Sequence, residues 1–92
     1  MSYLFMTELS DTTRYMLSAS YKKRFIAEYA QLAIRTIKLS EFVSKYDRNA
    51  LDFTPETPIN ILKDQLNAMN DYLEILKKRA QIEQITLPEV TL

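Results

Sequence analysis

The 92-residue chain contains no glycine, histidine, cysteine or tryptophan. At ordinary usage of roughly 7%, about six glycines would be expected. Their absence excludes Gly-rich phosphate loops and the dinucleotide fingerprint, because both need backbone conformations that only glycine adopts freely. Tight two-residue hairpin turns, which require positive φ at their centre, are disfavoured for the same reason. Without histidine there is no Ser-His-Asp triad and no imidazole base near neutral pH. Without histidine and cysteine together, structural zinc sites and disulfide frameworks are excluded. No apolar run approaches the ~18 residues that span a bilayer. The opening MSYLFMTELSD carries Glu8 and Asp11 where a secretory signal would carry bases. What remains is a helical chain suited to binding more than to catalysis, with no cofactor implied.

Hydrophobic residues make up 47% of the chain, and twelve bases balance twelve acids to zero net charge. That balance gives no general attraction to duplex nucleic acid. A chain this short builds a thin core, for which oligomerisation is a common remedy.

The chain reads as a single helical domain over 1–92. An N-terminal extension covers 1–20, with Ser10 and Asp11 as possible caps of a short helix over roughly 12–19. A long helix follows over 21–46, where Phe25, Tyr29, Leu32, Thr36, Leu39, Val43 and Tyr46 step by three and four. Residues 47–57 form a loop, since Pro55 and Pro58 forbid helix continuation. A second long helix is predicted over 58–84, with Thr57 as N-cap and Pro58 at its first position. Its stripe is Ile59, Leu62, Leu66, Met69, Leu73, Leu76, Ala80 and Glu83, and 85–92 form a tail. The fold class is therefore all-α: an antiparallel hairpin of two long helices plus a short N-terminal helical segment. Met6, Met16 and Met69 read as core filler. Asp64, Asp71 and Glu74 read as solvated surface, and no metal site is indicated.

Each long helix carries more apolar width than one hairpin seam needs. Ile61, Ala68, Ile75 and Ile82 recur every seven residues beside the main stripe of the second helix, and Ile26, Ala33 and Ile37 form a similar row on the first. Either the N-terminal segment covers these rows or other chains do. A homo-oligomer of hairpins is the leading expectation.

Six bases against one acid lie between Arg14 and Ser40. Within that stretch Tyr21, Arg24, Glu28, Gln31, Arg35 and Lys38 step by three and four, about 100° round the helix from the core stripe. This row borders the seam. Guanidiniums at an apolar border, with a tyrosine at the end, suit a planar anion, because arginine can hold phosphate bidentately and tyrosine offers a stacking face. The same residues also read as ordinary helix-surface pairs, Arg24 with Glu28 and Glu28 with Gln31, with Tyr21 closing the hairpin core. Tyr21 and Arg35 stand about 21 Å apart along a straight helix, so one small ligand touching both would need two chains.

The pattern Y-x-x-R-[apolar]-x-x-E-x-x-x-L-x-x-[KR]-x-x-x-L-x-x-F occurs as Tyr21, Arg24, Phe25, Glu28, Leu32, Arg35, Leu39 and Phe42. A second pattern, Q-L-x-x-M-x-x-Y-x-x-I-L-x-x-R, occurs as Gln65, Leu66, Met69, Tyr72, Ile75, Leu76 and Arg79. Over about 21–83 the chain thus resembles the small phage proteins described as crAssphage-related. These include the anti-CBASS sponges, which oppose a bacterial cyclic-oligonucleotide defence system. The resemblance implies a compact helical oligomer, a hexamer, that binds cyclic di- or trinucleotides without cleaving them in the cytoplasm of the infected host. By position it implies that Tyr21 stacks on a base and that Arg35, where the family commonly has lysine, contacts phosphate from a neighbouring chain. Arg24 and Arg79 match basic positions of the family, and Lys38 continues the row toward the same ligand. The competing reading is a helical protein–protein interaction module that inhibits a host protein through its exposed apolar rows.

Overall fold

The computed structural model describes residues 4–91. Its elements run β1 (Phe5–Met6), a 3-10 turn (Leu9–Thr12), α1 (Thr13–Met16), α2 (Tyr21–Asp47), α3 (Ile59–Glu83) and β2 (Glu89–Val90). The three-and-four spacing of the apolar residues is realised as two long helices packed side by side. They set the molecule's length, and its extents are 42 × 23 × 23 Å.

Ser20 starts α2 by accepting the backbone N–H of Lys23, a side-chain cap for one of the first-turn donors. The start of α3 differs from expectation by one residue. Pro58 is itself the N-cap, extended at φ −55° and ψ 140°, and no side chain caps the helix there. Proline's fixed φ and missing N–H suit the boundary either way. Both helices end without glycine. Asn49, just past α2, and Gln84, the cap of α3, take positive φ of 55° and 58°. Asparagine tolerates that region, whereas a glutamine in it carries the Cβ penalty that glycine would avoid.

Between α2 and α3 lies a seam of Phe25, Leu76, Ala80 and Ile85, joined by the half-buried Tyr29, Leu32 and Leu87. The opposite side of α2 carries a second core of Met6, Ala30 and Ile34, covered by Leu4, Leu9, Tyr15 and Val90. Ile26 touches both. Thus α2 is the central element, with α3 on one flank and the N-terminal segment on the other. The extra apolar width of α2 is explained inside the chain, since Ala33 is buried and Ile26 and Ile37 are half-buried. The corresponding row of α3 is not: Ile61, Ile75 and Ile82 are 51%, 54% and 80% exposed, and Ala68 is exposed too.

The two ends of the chain meet. β1 and β2 pair in parallel, Phe5 opposite Glu89 and Met6 opposite Val90, and the Glu89 N–H donates to the Leu4 carbonyl at 2.8 Å. This short pairing is absent from an all-helical expectation. The N-terminal helix also departs from the predicted 12–19: it is a 3-10 turn followed by one turn of α-helix. Asp11 caps backward, its carboxylate accepting the Thr7 and Glu8 N–H groups at 3.0 Å each. Met16 is 48% exposed and not core filler; its sulfur accepts from Gln31 at 3.5 Å.

Among the described residues, no helix is long and apolar enough to cross a membrane.

Candidate functional site

The basic row of α2 makes contacts to both sides, with α3 and with the N-terminal segment. Tyr21 and Glu28 lean to α3, where the Tyr21 hydroxyl donates to Glu83 at 2.7 Å and Glu28 accepts from the Tyr72 hydroxyl. Gln31 and Lys38 lean to the N-terminal segment. Gln31 Nε2 donates to the Thr12 hydroxyl at 2.9 Å, and Lys38 approaches Glu8 at 3.9 Å. Arg24 donates to the Ser18 carbonyl at 2.9 Å and so braces the entry to α2. The expected i,i+4 pair of Arg24 with Glu28 does not form, because each side chain has a tertiary partner instead. Arg35 is exposed, and among the described residues it has no hydrogen bond or ion pair.

One cluster at the end of the hairpin gathers groups from both helices. Arg79, on α3, donates through Nη2 to the Tyr21 hydroxyl at 3.0 Å and pairs through Nε with Glu83 at 3.5 Å. Its guanidinium lies 5.0 Å over the Phe25 ring, a cation–π arrangement that holds the group flat against the apolar seam. The Tyr21 ring tilts against Phe25, with centroids 6.3 Å apart. A buried phenylalanine (2% exposed) thereby positions both the tyrosine and the arginine. Donation to Glu83 raises the Tyr21 pKa above its ordinary value, aided by desolvation. The hydrogen bond to Tyr21 raises that of Arg79. The phenol accordingly remains a neutral donor and the guanidinium a cation throughout the physiological range.

Of the five predicted ligand residues, the structure brings Tyr21 and Arg79 into direct contact, with Arg24 one turn along α2. Arg35 and Lys38 lie about four to five turns from Tyr21 along the same helix, outside the cluster of one chain. Sequence reasoning missed Glu83 and Phe25 as members, and Tyr72 as the partner of Glu28. Glu83 did leave a signal: it is a carboxylate at the last position of an otherwise apolar stripe, where a partner from the other helix has to satisfy it.

The cluster is an open patch. Tyr21 is 47% exposed and the Arg79 side chain 45%, so one chain covers only one side of anything bound there. Small-ligand sites usually bury most of the ligand's surface, so enclosure needs a second surface. A separate groove of about 350 Å³ lies further along the hairpin between α2 and α3, lined by Tyr29, Ala33, Ser40, Asn70, Lys77 and, from β2, Val90. Chemically, the patch supplies a stacking ring, a fixed cation and hydroxyl and carboxylate groups. It supplies no thiol and no imidazole, since the chain has neither.

No curated protein and no solved structure matches the chain. A family match does exist, to Sequestin over residues 19–82, which spans α2, the loop and nearly all of α3 and so takes in every member of the cluster except Glu83. The chain belongs to the Sequestin family, a phage family whose members sequester a bound molecule instead of transforming it.

Proposed function

We propose that this chain is a phage anti-defence protein of the anti-CBASS type, binding cyclic di- or trinucleotides and holding them intact, away from the effector they would activate, in the cytoplasm of the infected host. The observation that carries this reading is the Tyr21–Arg79 pair seated on Phe25. A half-exposed aromatic face beside a rigid guanidinium matches a ligand that is both a planar base and a phosphate diester. The uncommitted Arg35, far along the same helix, supports a pocket completed by a second chain. The exposed heptad row of Ile61, Ala68, Ile75 and Ile82 gives such chains a seam on which to assemble, in this reading as a hexamer.

The deciding experiment is a calorimetric titration with cyclic di-AMP, cyclic di-GMP, cyclic GMP–AMP and cyclic tri-AMP, followed by mass analysis of ligand recovered after denaturation. Tight binding of at least one, recovered unchanged, is expected. No heat with any of them refutes the reading, and recovery of linear products refutes sequestration. A second reading rests on the same α3 row: an interaction module that docks a host protein. Stoichiometric capture of one host protein by chains that bind no cyclic nucleotide would favour it.

A further inference from the structure

Two donors converge on one carboxylate in the Tyr21 cluster. The Tyr21 hydroxyl reaches Oε1 of Glu83 at 2.7 Å, and Arg79 Nε faces Oε2 at 3.5 Å. Two oxygens on one centre, met by a hydroxyl and a guanidinium, is also the arrangement in which a phosphate diester presents its two non-bridging oxygens. Glu83 therefore occupies the place an anionic ligand would take, and with Glu28 nearby it offsets the charge that would attract one. Its backbone suits a movable group: Glu83 is the last residue of α3, followed directly by the left-handed Gln84, and helix ends are where a side chain can be released at least cost.

We propose that Glu83 is an internal stand-in for the ligand's phosphate, which an incoming anion must displace from Tyr21 and Arg79 before it can bind. This rests on the sequestration reading and adds an affinity-setting residue to it. Glu83 costs the protein affinity but keeps Tyr21 and Arg79 aligned while the site is empty. Small monoanions that cannot replace both contacts at once are thereby rejected. The contact is solvent-accessible, so it weakens ligand binding by about fivefold, the upper range for an exposed ion pair.

The test compares wild-type protein with Glu83→Gln, which keeps the shape and the acceptor but loses the charge. Glu74→Gln serves as the control. Glu74 is exposed and pairs with Lys77 at 3.3 Å, so its substitution makes the same change in net charge away from the cluster. The probes are the four cyclic nucleotides above, and thermal unfolding is recorded for each protein. Glu83→Gln should bind the preferred nucleotide about fivefold more tightly, with Glu74→Gln within twofold of wild type. Equal or weaker binding by Glu83→Gln overturns the proposal while leaving the sequestration reading intact, because a latch needed only for structure would lose affinity on removal. An equal gain in both variants assigns the effect to overall charge and also overturns it. If neither wild type nor Glu83→Gln binds any of the four, both the proposal and the reading fall.

Discussion

Tyr21 and Arg35 lie on one uninterrupted helix, α2, about 21 Å apart at 1.5 Å per residue. If both hold one ligand, the pocket is built from Tyr21 of one chain and Arg35 of another, and that arrangement can be tested by mixing damaged chains. Tyr21→Ala and Arg35→Ala should each weaken binding about tenfold or more when assayed alone, the usual loss for a removed stacking ring or charge-assisted contact. Suppose the two variants are unfolded together in equal amounts and refolded. Where a pair of chains shares two symmetric pockets, half of the pairs are mixed. In each mixed pair one pocket loses both side chains and the other recovers both. About one quarter of all pockets should then be whole. Calorimetry should show a high-affinity class with the wild-type Kd and about a quarter of the wild-type stoichiometry. A control refolded from either variant alone should show none. If wild type binds tightly and the mixture recovers no high-affinity class, Tyr21 and Arg35 do not meet across chains, and the shared-pocket geometry is wrong.

Three further outcomes follow from the same structure. Ile75→Glu places a charge in the middle of the exposed heptad row without touching either core, so it should lower the assembled mass in sedimentation while leaving helicity unchanged. Gln84→Gly relieves a left-handed residue at the end of α3 and should stabilise the chain by about 1 kcal/mol, seen as a rise in Tm of about 5 °C; no change would mean that the tail, not the cap, limits stability there. The N–H groups of Thr7 and Glu8 hold the Asp11 pKa below the ordinary carboxylate value. Its folded pKa being the lower one, Asp11 stabilises the N-terminal turn above about pH 4, and that support is lost as pH falls through the folded value. The protection factor of the Leu9–Thr12 amides, with intrinsic exchange at each pH divided out, should therefore fall in acid for wild type, and Asp11→Asn should show low protection at every pH.

The two long helices were legible because their stripes repeat over many turns, and a period of three and four sustained from Phe25 to Tyr46 has few other readings. The end-to-end pairing of β1 with β2 was not, because it joins residues from opposite termini and no local pattern encodes so distant a contact. The same limit explains the site. The row from Tyr21 to Lys38 could be seen as a border from its angular offset alone. Its partners could not, since Glu28 and Arg24 each prefer a tertiary contact to the i,i+4 pair that spacing suggests. Tyr21 and Arg79 lie on different helices, and only the antiparallel packing of α2 against α3 brings them to one end. The two apolar rows looked alike in sequence and proved different. The row on α2 is covered by the chain's own ends, whereas that on α3 stays open.

The lack of glycine bears on mechanism as well as on fold. A glycine-rich loop would present phosphate with backbone N–H groups whose charge is fixed and whose position never competes with the ligand. Here the end of the hairpin has no such loop, and the Lys23 N–H in the first turn of α2 is already taken by the Ser20 hydroxyl. In the proposed site the anion is met chiefly by side chains. Side-chain donors need something to hold them when the site is empty, and in this chain Phe25 holds the ring and the guanidinium by packing while Glu83 holds the hydroxyl and Nε by charge. The first would cost nothing on binding, because Phe25 is buried beneath the ring and the guanidinium and a ligand stacked on Tyr21 would not displace it. Under the proposed displacement the second does cost, because the carboxylate and a ligand's phosphate would want the same two donors. On that proposal Glu83 tunes affinity directly, and a change there should shift it without disturbing the Phe25 packing beneath the ring and the guanidinium.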